Sequence, residues 1–131
     1  MKNFKKGFTL IELLVVIAII GILAAVVLIN VNNARLGAQD AAIKSGLAQI
    51  RTAQEQEFTD SGSYTDPTNP TGNFVPTIVN GIDATLDGGA SATAYAAWAD
   101  LPGDGVIWCV DSTGYSGTPT TDPTSGDTSC Q

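Results

Sequence analysis

The residues in this chain that could do chemistry are few, and their positions are more informative than their number. Histidine is absent and there are two cysteines, Cys109 and Cys130. A His-based acid/base pair or a Cys/His zinc site therefore cannot be assembled from one chain. No nucleophile beside a base and no phosphate-cradling glycine motif stands out, so the sequence is not expected to encode an enzyme and no cofactor is implied. Asp100, Asp104, Asp111, Asp122 and Asp127 lie near turns, where oxygen ligands could hold calcium. They lack EF-hand spacing and read better as solvated turn caps, so no metal is expected. One carboxylate is out of place: Glu12 stands inside an almost wholly apolar run.

That run, Phe8 to Ile29, contains only Thr9 and Glu12 as strongly polar residues. Its roughly 22 residues would rise about 33 Å as a helix, enough to cross a bilayer. Lys2, Lys5 and Lys6 precede it and no comparable cluster follows closely. The positive-inside bias accordingly leaves the N-terminus in the cytoplasm and sends the C-terminal part across the membrane. A carboxylate one turn into such a helix costs a few kcal/mol on insertion scales unless it is protonated, snorkelling or paired. A secretory signal has a shorter apolar core, and a plain uncleaved anchor gives Glu12 no work.

Charge is distributed as unevenly as hydropathy. The chain carries six basic and thirteen acidic residues. Without Lys2, Lys5 and Lys6, only Arg35, Lys44 and Arg51 remain on the basic side. Non-specific nucleic-acid binding draws on Lys and Arg neutralising phosphates, so direct contact with nucleic acid is not expected.

The segment Lys6-Gly7-Phe8-Thr9-Leu10-Ile11-Glu12, followed by Leu13-Leu14-Val15-Val16-Ile17-Ala18-Ile19-Ile20-Gly21-Ile22-Leu23-Ala24-Ala25, resembles the class III signal of type IV pilins and pseudopilins. The resemblance implies cleavage after Gly7 by a membrane-embedded prepilin peptidase, followed by N-methylation of Phe8. It implies that Glu12 faces the N-terminal amine of a neighbouring subunit as the helices self-associate into a helical filament. It also implies a pilus or secretion assembly machinery as partner. Storage would be in the inner or cytoplasmic membrane, as a single-pass precursor with the C-terminus outside, before assembly into a surface pilus. Adhesion, motility or DNA uptake are the activities such filaments serve. A type II secretion pseudopilin and a membrane-tethered binding module that never polymerises are the competing readings. Unlike several major pilins, the chain has no proline between Phe8 and Phe58, and Asn30, Asn32 and Asn33 offer a weaker place for the helix to soften on assembly.

The elements that must position these residues follow from patterning. Leu36, Ile43, Leu47, Ile50 and Phe58 share one helical face, with Arg35, Asp40, Lys44, Arg51 and Glu55 expected on others. The helix is expected to continue to about Thr59 and to stop at Asp60-Ser61-Gly62, Gly62 taking the left-handed cap. A surface loop follows. Strands are expected over Phe74 to Val79, Ala92 to Ala99 and Gly105 to Val110, bounded by turns that include Asn80-Gly81 and Asp87-Gly88-Gly89. Trp98 and Trp108 read as packing residues.

The expected fold is α+β: a long N-terminal helix, transmembrane in its first half and amphipathic in its second, packed on a small antiparallel sheet. The expected organisation is a leader over 1–7, a transmembrane and filament-core helix over 8–30, and an amphipathic helix plus head over 31–131. Cysteines in an exported head suggest a disulfide, with two free buried thiols as the alternative. A Cys109–Cys130 bond would close a loop of about 22 residues, contribute about 3 kcal/mol on the chain-entropy account, and resemble the C-terminal disulfide loop of many pilins.

Overall fold

The computed structural model of the chain describes residues 7–68 and 86–131. Among the described residues one helix, α1, spans Leu10–Ser61. Four strands follow among the described residues: β1 (Asp87–Ala90), β2 (Tyr95–Leu101), β3 (Val106–Asp111) and β4 (Ser116–Gly117). They form an antiparallel meander in the order β1-β2-β3-β4. The α+β expectation holds, with the helix packed against this sheet. The expected strand over Phe74 to Val79 and its Asn80-Gly81 turn lie outside the described residues, as do Lys2, Lys5 and Lys6.

The chain divides into two compact units, Met1–Arg35 and Leu36–Gln131. Within the second, the core forms where Ile43, Leu47 and Ile50 of α1 meet Ala97, Ala99, Leu101 and Val110 of the sheet. Successive strand residues face opposite sides. Ala96 and Trp98 of β2 and Cys109 of β3 therefore form a second cluster with Cys130 on the other face. β3 is a central strand whose second half, Cys109 to Asp111, is buried between α1 and the C-terminal segment, while Val106 at its start is exposed. The small alanines of β2 let the helix approach closely.

The helix ends as its sequence dictates. Gly62 adopts φ 77°, and its N–H donates to the Phe58 carbonyl at 2.9 Å, the single-bond left-handed cap. Gln54 then fixes the exit: it is fully buried, its amide nitrogen donates to the Thr65 carbonyl at 2.8 Å and its oxygen accepts the Thr65 N–H at 3.3 Å.

Several boundaries differ from expectation for identifiable reasons. Asp87-Gly88-Gly89 is strand rather than turn, because backbone packs against both glycines. A Cβ on Gly88 would come within 2.6 Å of the Ala96 carbonyl oxygen, and one on Gly89 within 2.5 Å of Gly126 backbone. β2 starts at Tyr95 rather than Ala92, since Ser91 N–H donates to the Ala94 carbonyl at 2.7 Å and closes a turn there. Gly105, expected in β3, sits at φ 67° in the preceding turn. Phe58, expected on the buried face, is 38 % exposed and stacks on Tyr64, the ring centroids 4.6 Å apart.

Candidate assembly surface

Helix α1 begins at Leu10 because Thr9 and Glu12 cap it reciprocally. The Thr9 N–H and hydroxyl each donate to Glu12 Oε2 at 2.8 Å, and the Glu12 N–H donates to Thr9 Oγ1 at 3.3 Å. Thr9 is the N-cap and Glu12 the third helical residue, the arrangement of a capping box. The carboxylate is thus engaged at the positive end of the helix dipole. The expected partner of Glu12 is on a neighbouring subunit, not in its own chain. The Thr-x-x-Glu spacing was the available signal, obscured by the cost of a charge in an apolar run.

Gly7 and Phe8 lie ahead of this cap. A Cβ built on Gly7 meets nothing within 4 Å, so the fold itself does not require glycine there. Phe8 is 73 % exposed. The helix that follows is apolar on every side: Leu13, Leu14, Val16, Ile20, Leu23 and Val27 are all exposed. The apolar part of α1 is long enough to cross a membrane, and none of it is buried. A helix hydrophobic all round belongs in lipid or in the core of a larger assembly. No residue of this stretch is covered among the described residues, so the chain alone leaves this surface without the environment its composition requires.

Residues 2–28 match the prokaryotic N-terminal methylation motif. The type IV wide pilus major component PilA4 of Thermus thermophilus is 40 % identical over 114 residues, covering 82 % of this chain and 81 % of that protein. This chain belongs to the type IV pilin family. The type IV major fimbrial protein FimA of Dichelobacter nodosus is 34 % identical over 113 residues, 86 % of this pilin and 69 % of FimA. The type IV major pilin protein PilA of Myxococcus xanthus is 36 % identical over 97 residues. That match covers 74 % of this pilin but 44 % of the Myxococcus protein. These relatives bear the names of structural pilins rather than of enzymes.

In the head of this pilin, Cys109 and Cys130 are bonded, with Cα atoms 5.9 Å apart. The alternative of two free thiols is thereby set aside. Both are buried, and the bond pins the C-terminal segment to the tail-facing side of β3. That segment also adds a strand of its own, since Cys109 and Val110 pair with Gly117 and Ser116. Its composition gave no sign of this.

Two aspartates correct the sequence reading. Asp40, expected on a face of α1 other than the apolar stripe, is 5 % exposed. Its carboxylate accepts the Gly103 N–H at 2.9 Å and the Asp104 N–H at 3.1 Å, which bolts the β2–β3 turn to the helix. Asp111, read as a solvated cap, is fully buried. Its Oδ1 accepts the Thr113 hydroxyl at 2.6 Å and the N–H groups of Thr113 and Tyr115 at 2.9 and 3.2 Å. Its Oδ2 accepts the Cys130 N–H at 3.0 Å. Burial alone would raise its pKa, but the Thr113 hydroxyl and the Cys130, Thr113 and Tyr115 amides outweigh it and hold the carboxyl below the usual range.

The exposed edge carries a milder cluster. Lys44 Nζ lies 3.4 Å from Asp104 and 4.8 Å from the centroid of Trp108, so the half-buried Trp108, packed against the core, has a lysine ammonium over its ring. Exposed pairs of this kind contribute under about 1 kcal/mol. Tyr95 is buried with its hydroxyl unpartnered among the described residues. Desolvation, with Glu55 nearby, drives its pKa upward, so the phenol stays neutral.

Proposed function

We propose that this pilin is made as a membrane-inserted precursor, cut between Gly7 and Phe8 by a prepilin peptidase and methylated on the new Phe8 amine. It then assembles through residues 8–30 into the core of a type IV pilus. The observation that carries this reading is the unpartnered apolar helix with one carboxylate at its start. Lipid can solvate the helix in storage, and neighbouring copies of the same helix can replace lipid in a fibre. The basic cluster ahead of the run favours an orientation with the leader in the cytoplasm and the head outside. The disulfide supports an oxidising compartment for the head.

Gly7 fits the cleavage role because a peptidase at the membrane face needs close approach to backbone, and glycine presents no side chain. The open space around Gly7 supports reading that need as the enzyme's rather than the pilin fold's. Cleavage would create an ammonium at Phe8, and Glu12 of an adjacent subunit would neutralise it in apolar surroundings. Such a pair fixes register more than it adds stability. The capping contacts of Thr9 use atoms beyond the cut, so they are compatible with the processed chain.

The assembled filament presents an acidic surface, which argues against direct DNA contact by this subunit. The test is the intact mass of the protein sheared from the surface of native cells. A chain that begins at methylated Phe8 and has lost two hydrogens at Cys109 and Cys130 is expected in that fraction. Absence of the protein from it, or retention of residues 1–7, would sink the reading.

A further inference from the structure

Asp111 and Cys109 lie two residues apart on β3 and face the same side of the sheet. The carboxylate of the one is bonded to the backbone N–H of the cysteine that the other must meet: Asp111 Oδ2 accepts the Cys130 N–H at 3.0 Å. Oδ1 of the same carboxylate is held by Thr113 and Tyr115, so it is fixed by the turn into β4 independently of the disulfide. Three further contacts steer the C-terminal segment back across the sheet. The Gly126 N–H donates to the Gly88 carbonyl at 3.3 Å, the Tyr115 hydroxyl donates to the Thr118 carbonyl, and Asp127 accepts the Thr124 N–H at 2.7 Å. The segment is poor in apolar residues, so little else recommends a position for Cys130.

We propose that Asp111 is the template for the Cys109–Cys130 disulfide: its buried carboxylate captures the C-terminal backbone and sets Cys130 beside Cys109 before the bond exists. Oxidation then proceeds by exchange with a disulfide-bearing oxidant. One thiolate attacks the oxidant and releases one of its thiols. The second thiolate attacks the mixed disulfide and releases the other, so two electrons pass to the oxidant, whose two released thiols carry the two protons that Cys109 and Cys130 gave up. Asp111 takes no part in this chemistry. It is a positioning residue that raises the effective concentration of one thiol at the other. The same contacts keep the strap seated after reduction, so the outer surface of the head does not depend on the disulfide alone.

The test uses the full chain in detergent micelles, reduced and then equilibrated with reduced and oxidised glutathione. Alkylation and mass analysis give the effective concentration of the two thiols. Asp111→Asn is expected to lower it about tenfold or more relative to the unsubstituted chain, while Asp40→Asn, which weakens the head at a site remote from the strap, leaves it within about twofold. In concentrated guanidinium all three are expected to coincide. Equal values for Asp111→Asn and the unsubstituted chain overturn the proposal, as does an equal fall for Asp40→Asn.

If Asp111→Asn fails to fold, Thr113→Val removes the shortest donor to the carboxylate and keeps the backbone. A fall of about threefold is then expected, and no fall overturns the proposal. A readout free of thiol chemistry is hydrogen exchange at the amide of position 130 in a chain carrying Cys109→Ser and Cys130→Ser. Protection that disappears on adding Asp111→Asn supports the template, and an unprotected amide before that addition overturns it.

Discussion

Asp40 and Gly103, far apart in sequence, are joined by a 2.9 Å hydrogen bond from the Gly103 N–H to the Asp40 carboxylate. The Asp104 N–H adds a second bond to the other carboxylate oxygen at 3.1 Å. Two backbone donors on one buried carboxylate hold the tip of the β2–β3 hairpin at the start of the packed half of α1.

Removing that carboxylate breaks both bonds at once, although Gly103 and Asp104 are themselves exposed and water can reach their amides. Hydrogen bonds to charged groups contribute about 1.5–3 kcal/mol each. Asp40→Ala is therefore expected to destabilise the head by about 3 kcal/mol and Asp40→Asn by about half as much. Chemical denaturation followed by tryptophan fluorescence would measure this, and a loss below about 1 kcal/mol would contradict it. Processing at Gly7 should be unaffected.

Much of the architecture is legible in the sequence because hydropathy decides it. The apolar run, the buried stripe of Ile43, Leu47 and Ile50, the Gly62 stop and the approximate extents of β2 and β3 follow from pattern and turn chemistry alone. What escapes is polar and non-local. Asp40 and Gln54 extend the same stripe at intervals of three and four residues, yet a charged or amide side chain on that face reads as solvated until its backbone partners are known. β1 reads as a turn because Gly88 and Gly89 look like turn formers, and only the neighbouring backbone from Ala96 and Gly126 gives their missing side chains a purpose. The pairing of Cys109 with Cys130 was foreseen, whereas Asp111, which arranges it, was hidden among the aspartates of the turns.

Gly89→Ala tests how tightly the C-terminal strap is laid on the sheet. The new Cβ would stand 2.5 Å from the Gly126 carbonyl carbon and 2.7 Å from the Asp127 carbonyl oxygen. These are backbone atoms, which cannot swing aside as a side-chain end could. Overpacking of this kind costs about 1–3 kcal/mol. Gly105→Ala, with open space around it but φ 67°, should cost about 1 kcal/mol from backbone strain alone. A thermal melt in which the two substitutions are equally mild would show that the strap yields more readily than its contacts imply.

Acid should weaken the strap through Asp111. Its folded carboxyl holds a proton less tightly than the unfolded one. The stabilisation is then complete above the ordinary aspartate value of about 3.9 and is lost as pH falls through the lower folded value. The groups facing it are the Thr113 hydroxyl, the amides of Thr113, Tyr115 and Cys130, and the buried phenol of Tyr95, whose raised pKa keeps it neutral throughout this range. Stability measured from pH 7 to pH 2 should fall less steeply below pH 4 in Asp111→Asn than in the unsubstituted chain. Parallel curves would show that other carboxylates carry the acid response.

Glu12 combines two roles that a single substitution pair can separate. As the third residue of the capping box it accepts the Thr9 N–H and hydroxyl, work that a glutamine amide oxygen can also do. As the proposed partner of a neighbouring Phe8 amine it must carry charge, which glutamine lacks. Glu12→Gln should therefore leave the start of α1 close to intact, whereas Glu12→Ala should fray it. Leader cleavage should proceed in both. If charge neutralisation governs assembly, both substitutions abolish filaments to a similar degree, as counted in sheared surface fractions. Abundant filaments from Glu12→Gln with few from Glu12→Ala would instead assign the requirement to the cap, and the amine pairing proposed for this pilin would fall.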